Sequence, residues 1–294
     1  MRLLAPLCTL LTACAPEPAA SSSTPKEAAA AAPASTDTPT TPAPPQRCAL
    51  EAGPHERTVT VGEATRVYLV EVGAALAARP AVVFAWHGFG SRAENSLAAI
   101  EAETHWNDAI VVAPRGMPRT FDQFGDTPRP GWQVASGELE DRDLLFFDAM
   151  LTELEALGCV DPSRVYSTGF SNGGFFSNVL ACHRADALAA AAPTGGGGPF
   201  VAPCGRKIPV LITHGREDRV VPYASAQQTY KSWVAHNACT EASVGPNSED
   251  EGCVSAAGCA ESSPVRMCSY NVGHQWPNGQ SERVAAFLRQ FSRP

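Results

Sequence analysis

The sequence predicts an α/β fold in which a mostly parallel central sheet, stapled by disulfides, carries helices on both faces. From Cys48 onward, apolar runs rich in β-branched residues alternate with segments of helical periodicity, the order expected of parallel strands joined by helices. Several of these runs are apolar throughout, as strands buried on both faces are. Functional residues of such a sheet are expected at the carboxyl ends of its strands.

The predicted elements follow in order along the chain. Short, largely apolar runs predict strands over 66–72, 81–86, 109–113, 164–168, 188–192, 208–213 and 265–270. Between them, Leu and Phe recur at helical spacing over 141–157, and helices are also predicted over 172–182, 224–235 and 282–291. Each helix lies between two strands or closes the chain, so the strands are expected to run mostly parallel.

The size and charge of the chain restrict its class. It has 294 residues, of which 44% are hydrophobic and 18% charged, which suits one large globular domain with an appended segment. Asp and Glu outnumber Lys and Arg by 30 to 22, for a net charge of -8. Nucleic acid is therefore not an expected partner, since binding a phosphate backbone relies on a basic face.

The first 14 residues have the order of a secretory signal peptide, with a positive charge at Arg2 and a short apolar stretch over 3–13. The stretch ends in Leu11-Thr12-Ala13-Cys14. This resembles the bacterial lipobox, and the resemblance implies that a lipid on Cys14 attaches the mature protein to a membrane. The alternative is a plain secretory signal cleaved nearby. Both readings predict an extracytoplasmic protein, secreted or bound to the cell envelope.

Residues 15–47 are predicted to be a disordered tether. They are rich in Pro, Ala, Ser and Thr and contain no aromatic residue. Such a segment buries too little apolar surface to offset the entropy of folding. The folded domain is therefore predicted to span 48–294, and we expect it to be monomeric.

Eight cysteines fall within the predicted domain, an even number, as a disulfide framework requires. The sequence has no C-x-x-C pair and no paired histidines at ligand spacing, which disfavours zinc. We predict no metal site. The disulfides we expect are Cys253 with Cys259, Cys239 with Cys268, Cys182 with Cys204, and Cys48 with Cys159.

The strongest chemical signal is the run Gly169-Phe170-Ser171-Asn172-Gly173-Gly174, which joins a predicted strand directly to a predicted helix. In that context G-x-S-x-G is typical of a turn that holds a nucleophilic serine in a strained conformation above the sheet. Ser171 is therefore the candidate nucleophile, and the Asn172 N–H, at the helix N-terminus, is one candidate oxyanion donor. The alternative is a structural turn.

A second oxyanion donor is expected in the loop after the strand 81–86, which reads His87-Gly88-Phe89-Gly90. We choose the N–H of Phe89, because Gly88 lets the main chain approach a ligand. The His87 ring is expected to orient this loop rather than act as a base. The alternative is a strand end that simply turns on glycines.

The remaining catalytic candidates are chosen by chain order, since serine, acid and histidine follow one another in this kind of site. Asp218 follows the strand 208–213 and is the candidate acid, with Glu217 as the alternative. His274 follows the last strand, in Val272-Gly273-His274-Gln275, and is the candidate general base.

These motifs together resemble those of a secreted esterase family that includes polyhydroxybutyrate depolymerases, feruloyl esterases and acetylxylan esterases. The resemblance covers roughly residues 80–290. It is carried by the run 160–166 (Val-Asp-Pro-Ser-Arg-Val-Tyr), the 169–174 turn, the His87-Gly88 loop, His214-Gly215 with Asp218, and Gly273-His274 before Trp276-Pro277. It implies an α/β-hydrolase fold, no metal or other cofactor, and ester hydrolysis through a serine acyl-enzyme. The segment 246–261 and the extra cysteines depart from the family's simplest members.

The expected function is therefore that of an extracytoplasmic serine esterase acting on polymeric or oligomeric esters, of the feruloyl, acetyl or hydroxybutyrate type. Trp132, in the glycine- and proline-rich loop 125–137, is the preferred substrate contact, with Phe170 and Trp276 as further candidates. Core packing is the alternative role of these aromatic residues. The alternative functions are a serine peptidase on the same fold and a catalytically inactive envelope binding protein.

Overall fold

Residues 47–199, 203–240 and 252–294 are described by the computed structural model, and they build a central sheet covered by helices. The predicted signal peptide, the lipidation site Cys14 and all of the predicted tether except Arg47 lie outside the described residues. Within the described ranges, none of the helices is long and apolar enough to cross a membrane.

The strands and helices follow the predicted alternation. The strands are β1 (Gly53–Val61), β2 (Ala64–Val72), β3 (Ala81–Trp86), β4 (Ala109–Pro114), β5 (Met117–Arg119), β6 (Arg129–Gly131), β7 (Val165–Phe170), β8 (Ala190–Thr194), β9 (Val210–Gly215), β10 (Cys253–Ser255) and β11 (Val265–Tyr270). The helices are α1 (Ala93–Ala99), α2 (Ala102–His105), α3 (Arg142–Ala156), α4 (Asn172–His183), α5 (Tyr223–His236) and α6 (Gln280–Leu288). Every predicted strand and helix is present, with ends shifted by a few residues.

Among the residues that the structure describes, nine strands form the main sheet, in the order β1-β2-β4-β3-β7-β8-β9-β11-β10. The six central strands, β4 to β11 in that order, run parallel to one another. Antiparallel strands close both edges, with β1 and β2 on one side and β10 on the other. This mostly parallel sheet confirms the predicted fold class, and it directs the carboxyl ends of the parallel strands to one edge.

The sheet separates two apolar layers, because alternate side chains of a strand point to opposite faces. Along β3, Val82, Phe84 and Trp86 contribute to one core, which α3, α4 and α5 cover. Ala81, Val83 and Ala85 contribute to the other, which α1, α2 and α6 cover. Both faces of β3 are therefore buried, which accounts for its continuously apolar sequence.

Four disulfides are present among the described residues. Two join the predicted partners, Cys48–Cys159 and Cys182–Cys204. The other two predictions are wrong, because Cys239 pairs with Cys259 and Cys253 pairs with Cys268. Strand register explains the difference. Antiparallel pairing of β10 with β11 sets Cys253 directly opposite Cys268, and a β-bridge between Thr240 and Ala257 brings Cys239 towards Cys259.

Candidate active site

Ser171 lies at a sharp turn between β7 and α4. Its backbone has φ 56° and ψ −120°, a conformation that side chains with a Cβ rarely adopt. Two flanking glycines permit the turn, since a Cβ on Gly169 would lie 2.5 Å from the Gly173 carbonyl oxygen and a Cβ on Gly173 would lie 2.0 Å from the Trp86 carbonyl oxygen. The strain is thus held by close backbone packing, as expected where a side chain must project above the sheet.

Three side chains from separate loops meet at the carboxyl edge of the sheet. Ser171 follows β7, Asp218 follows β9 and His274 follows β11. The Ser171 hydroxyl donates to His274 Nε2 at 2.8 Å, and His274 Nδ1 donates to Asp218 Oδ2 at 2.6 Å. The predicted nucleophile, base and acid are therefore linked in one hydrogen-bonded series that can deprotonate the serine.

The Asp218 carboxylate is fixed by backbone as well as by the imidazole. Its Oδ1 accepts the N–H groups of Val220 and Val221, each at 2.8 Å, and its side chain is buried. His214 Nε2 lies 3.4 Å from Oδ2 and donates to the Val221 carbonyl at 2.8 Å, while burial lowers the pKa of His214. The alternative acid, Glu217, is exposed and bonds through its backbone to the loop before His274.

The two candidate oxyanion donors flank the nucleophile. A Cβ added to Gly88 would lie 3.4 Å from Ser171 Cβ, so the backbone leading to Phe89 passes directly beside the serine. No protein acceptor within the described ranges bonds the Phe89 N–H. Asn172 is the first residue of α4, where N–H groups have no partner inside the helix. Both N–H groups are thus available to a negative charge that develops above Ser171.

His87 holds the loop that carries Phe89. Its Nδ1 donates to the Gly88 carbonyl at 2.8 Å, and its Nε2 accepts the Gly116 N–H at 3.0 Å. Burial lowers the pKa of His87, so the neutral ring that this bonding requires is favoured. Because both ring nitrogens are engaged by backbone, His87 is not free to take a proton from Ser171.

An apolar cleft opens beside Ser171. Its volume is about 310 Å³, and its walls include the aromatic residues Phe89, Phe121, Phe124 and Phe175 opposite Val220 and Val221. The Phe89 ring packs against Phe121 at 5.0 Å and Phe124 at 5.4 Å between centroids. The sequence reading missed Phe121, Phe124 and Phe175. The sequence could have indicated Phe121 and Phe124. Two phenylalanines in an otherwise polar loop, next to a predicted site, have no evident place in the core and are therefore candidates for the wall of a cleft.

Phe170 and Trp276 line a separate, smaller cavity of about 80 Å³ on the other side of Gly88. The Phe170 ring lies 4.8 Å from the His274 ring, and Trp276 donates through Nε1 to Ser281 at 3.3 Å. Both side chains are half-buried. Phe170 therefore borders the imidazole, and neither side chain lines the large cleft.

The interpretation of Trp132 as a substrate contact is wrong. Its side chain is 0% exposed, and its ring packs against Trp86 at 5.1 Å and Phe176 at 5.8 Å. The indole Nε1 donates to the His87 carbonyl at 2.8 Å. The loop folds inward at this point because Gly131 lets it approach Asn172, where a Cβ would lie 2.8 Å from Oδ1.

Comparison with known proteins identifies the family of the chain. Residues 126–248, which include Ser171 and Asp218, match the dienelactone hydrolase family. The probable feruloyl esterase C of Aspergillus niger is 32% identical over 193 residues, which cover 64% of this chain and 61% of that protein. Feruloyl esterase D of Neurospora crassa is 30% identical over 218 residues, which cover 69% of this chain and 72% of that protein. The chain belongs to the α/β-hydrolase esterase family of these proteins.

Family membership confirms the resemblance that the sequence motifs indicated. The acetyl xylan esterase from Aspergillus awamori shares the fold, with a TM-score of 0.56, 16% identity, and coverage of 79% of this chain and 99% of that one. The chain spans 61% of the length of the Aspergillus niger relative. Esterase family members therefore indicate the fold and the expected class of chemistry.

Proposed function

We propose that this protein is an extracytoplasmic serine esterase whose catalytic residues are Ser171, His274 and Asp218. The observation that carries the proposal is the pair of short hydrogen bonds, 2.8 Å and 2.6 Å, that join the serine through the imidazole to a buried carboxylate. A serine hydroxyl becomes a strong nucleophile when an oriented base accepts its proton. The family's feruloyl esterases, named above, support the same class of reaction.

The residues of the site can carry out each proton transfer of ester hydrolysis and stabilise the oxyanion. His274 Nε2 takes the Ser171 proton as Oγ attacks the carbonyl carbon, and the carbonyl oxygen becomes an oxyanion facing the N–H groups of Phe89 and Asn172. The bond to the alcohol oxygen then breaks, and His274 returns the proton to that oxygen. Water repeats the sequence on the acyl-enzyme, releasing the carboxylic acid and restoring Ser171. Asp218 fixes the imidazole tautomer and stabilises the imidazolium.

The shape of the cleft supports an ester with a bulky, aromatic acyl group. A dry cavity of about 150 Å³ accommodates one benzene ring, so about 310 Å³ has room for an aryl ring and the short chain that joins it to the carbonyl. The aromatic walls offer stacking and edge contacts to such a ring. Phe124 is 38% exposed and Val220 42% exposed at the rim, which leaves the cleft open to an ester on a longer oligomer or polymer.

A location outside the cytoplasm is supported by two features. Four disulfides suit an oxidising compartment and are unusual in a reducing one. The N-terminal sequence has the order of a signal peptide that ends at Cys14. We therefore propose lipid attachment at Cys14, followed by the linker 15–47 and the catalytic domain 48–294. A Cys14→Ser variant is expected in the soluble rather than the membrane fraction of a bacterial host, and membrane retention of that variant would exclude the anchor.

The activity test compares wild type, Ser171→Ala and Ser177→Ala on p-nitrophenyl butyrate. Ser177 is a buried serine of the same helix whose hydroxyl bonds Ser167 at 2.9 Å, so it controls for loss of a buried hydroxyl. Wild type and Ser177→Ala are expected to hydrolyse the ester, and Ser171→Ala to lose nearly all turnover. Undiminished turnover by Ser171→Ala, or none by wild type, would reject the proposal.

The acyl preference is tested with Phe124→Ala and Leu145→Ala, because both residues are exposed and only Phe124 borders the cleft. Loss of one aromatic contact is expected to lower kcat/KM for methyl ferulate by about 10-fold and to change p-nitrophenyl acetate turnover little. Leu145→Ala is expected to match wild type on both. Acetylated xylan and a polyhydroxybutyrate film serve as the competing substrates, and a preference for either over methyl ferulate would contradict the aryl assignment.

A further inference from the structure

Trp132 makes hydrogen bonds to both of the segments that carry the candidate oxyanion donors. From this arrangement we infer that Trp132 is a positioning residue that holds the N–H groups of Phe89 and Asn172 in register with each other. The inference rests on the proposed ester hydrolysis. It assigns to a buried indole, which contacts no substrate, a role in stabilising the transition state.

The first half of the oxyanion site is held through the indole. Trp132 Nε1 donates to the carbonyl of His87 at 2.8 Å, two residues before Phe89. The Trp132 and His87 rings also pack at 4.8 Å between centroids. Because His87 in turn accepts the Gly116 N–H, the chain that leads to Phe89 is fixed from both sides.

The second half is held through the Trp132 backbone. The Trp132 N–H donates to Asn172 Oδ1 at 2.7 Å, and Asn172 Nδ2 donates to the Trp132 carbonyl at 2.9 Å. This pair of bonds closes a ring between the backbone N–H and C=O of Trp132 and the side-chain amide of Asn172. Two bonds fix both the position and the plane of the Asn172 amide. They therefore also fix the Asn172 backbone, whose N–H begins α4 beside Ser171.

The residues that make these bonds are buried. Trp132 is 0%, His87 3% and Asn172 4% exposed. A bond broken here leaves a buried polar group without its protein partner, which costs free energy. The two halves of the oxyanion site are consequently expected to move together with Trp132 rather than independently.

Trp132 is itself anchored to the body of the domain. Arg119 donates to the Trp132 carbonyl at 2.6 Å. The next residue, Gln133, donates its N–H to Asp143 Oδ2 at 2.9 Å and accepts the Asp143 N–H at 3.1 Å on its side-chain oxygen. Asp143 forms a buried ion pair with Arg66 on β2. The support for the oxyanion donors thus extends from the turn at Ser171 to α3 and the edge of the sheet.

The competing explanation is that Trp132 only fills space between Trp86 and Phe176. Trp132→Phe separates the two, because it keeps an aromatic ring in the core and removes the Nε1 donor. Trp106→Phe is the matched control. Trp106 is 1% exposed, lies in the apolar layer covered by α1, α2 and α6, and has an Nε1 with no acceptor among the described residues.

We expect Trp132→Phe to lower kcat for p-nitrophenyl butyrate on the order of 10-fold with little change in KM, since full loss of one oxyanion donor typically costs about 10² to 10³. The affinity for an aryl boronic acid, which forms a tetrahedral adduct with the serine, should fall with kcat. Trp106→Phe should keep both values while losing similar thermal stability. If Trp132 served in packing alone, both variants would lose stability, and Trp132→Phe would not show a lower kcat at an unchanged KM.

Asn172→Ala provides the second test, because it breaks the same support and leaves the core ring and the backbone N–H in place. Its kcat should also fall, and the combination with Trp132→Phe should be less than additive, since both remove one alignment. A Trp132→Phe protein that is folded and has kcat within about twofold of wild type would overturn the inference. Absence of ester hydrolysis by both wild type and Trp106→Phe would instead reject the proposed function.

Discussion

The substitution Asp218→Asn tests the catalytic proposal at the residue where the structure is most specific. In the native site, Oδ1 accepts two backbone N–H groups, from Val220 and Val221, and Oδ2 accepts the His274 Nδ1 proton. An asparagine has only one oxygen to serve both positions. The amide must therefore choose between the two backbone donors and the imidazole.

We expect the amide oxygen to accept the two backbone N–H groups rather than the imidazole proton. An amide turned towards the imidazole would leave the buried Val221 N–H and the partly buried Val220 N–H facing an NH₂ group, at a combined cost of up to about 4 kcal/mol. In the favoured orientation, the NH₂ group of the introduced amide donates to Nδ1, and the imidazole proton moves to Nε2, which can no longer accept the Ser171 proton. A preference of about 4 kcal/mol corresponds to a loss of about 10³ in kcat, at about 1.4 kcal/mol per factor of ten. This approaches the loss of about 10⁴ known for a triad held in the wrong tautomer.

The measurement is kcat for p-nitrophenyl butyrate at pH 8, with circular dichroism melting to verify the fold. Glu217→Gln is the control, because Glu217 is the adjacent carboxylate and is exposed. It should retain wild-type kcat. A folded Asp218→Asn enzyme that keeps kcat within about tenfold of wild type would refute the reasoning, because it would mean that the imidazole is oriented by some other group.

Three further predictions concern the support of the site. Replacing Cys48 and Cys159 by serine opens a loop with a sequence separation of 111 residues. The entropy that the unfolded chain regains should lower the unfolding free energy by about 5 kcal/mol. Urea unfolding measures this loss, and a value below about 2 kcal/mol would contradict the entropic account. Gly173→Ala places a methyl group 2.0 Å from a backbone oxygen of β3, so we expect a loss of about 3 kcal/mol or more together with activity, and an active protein with wild-type melting would be incompatible with the turn. Burial lowers the pKa of His87 and His214 below 6.5, so the unfolded chain binds protons that the folded chain does not. The unfolding free energy should therefore be constant above about pH 7 and fall from there to pH 5, and a double His→Gln variant with an equally steep dependence would rule out these residues as the cause.

The sequence predicted the centre of the sheet more accurately than its edges, for a physical reason. Strand β3 begins and ends where predicted, because both of its faces are buried and its sequence is apolar throughout. Strand β1 was missed. It lies at the edge, its residues alternate between half-buried and exposed, and the run Glu56-Arg57-Thr58 dilutes the apolar signal.

The candidate catalytic residues could be named from sequence because each follows a strand in a chain order that the fold imposes. The partners of Cys239, Cys253, Cys259 and Cys268 could not, since pairing across β10 and β11 depends on which residues oppose one another, and one shift of register changes every pair. Loop side chains pose the same difficulty. Composition indicated that the 125–137 loop borders the site, but it did not indicate that Trp132 points inward.

If the cleft binds the acyl group as proposed, the position of that loop ties substrate selection to catalysis. Phe121 and Phe124 precede the glycine-rich part of the loop and line the cleft, while Trp132, a few residues later, bonds the turn beside the nucleophile. A change that shifts the aromatic wall is therefore expected to displace Trp132 as well, and with it the N–H groups of the oxyanion site. Substitutions at Phe121 should for this reason alter kcat as well as KM. If the wall and the donors were independent, the same substitutions would change KM alone, because they would remove only contacts made equally in the ground state and the transition state.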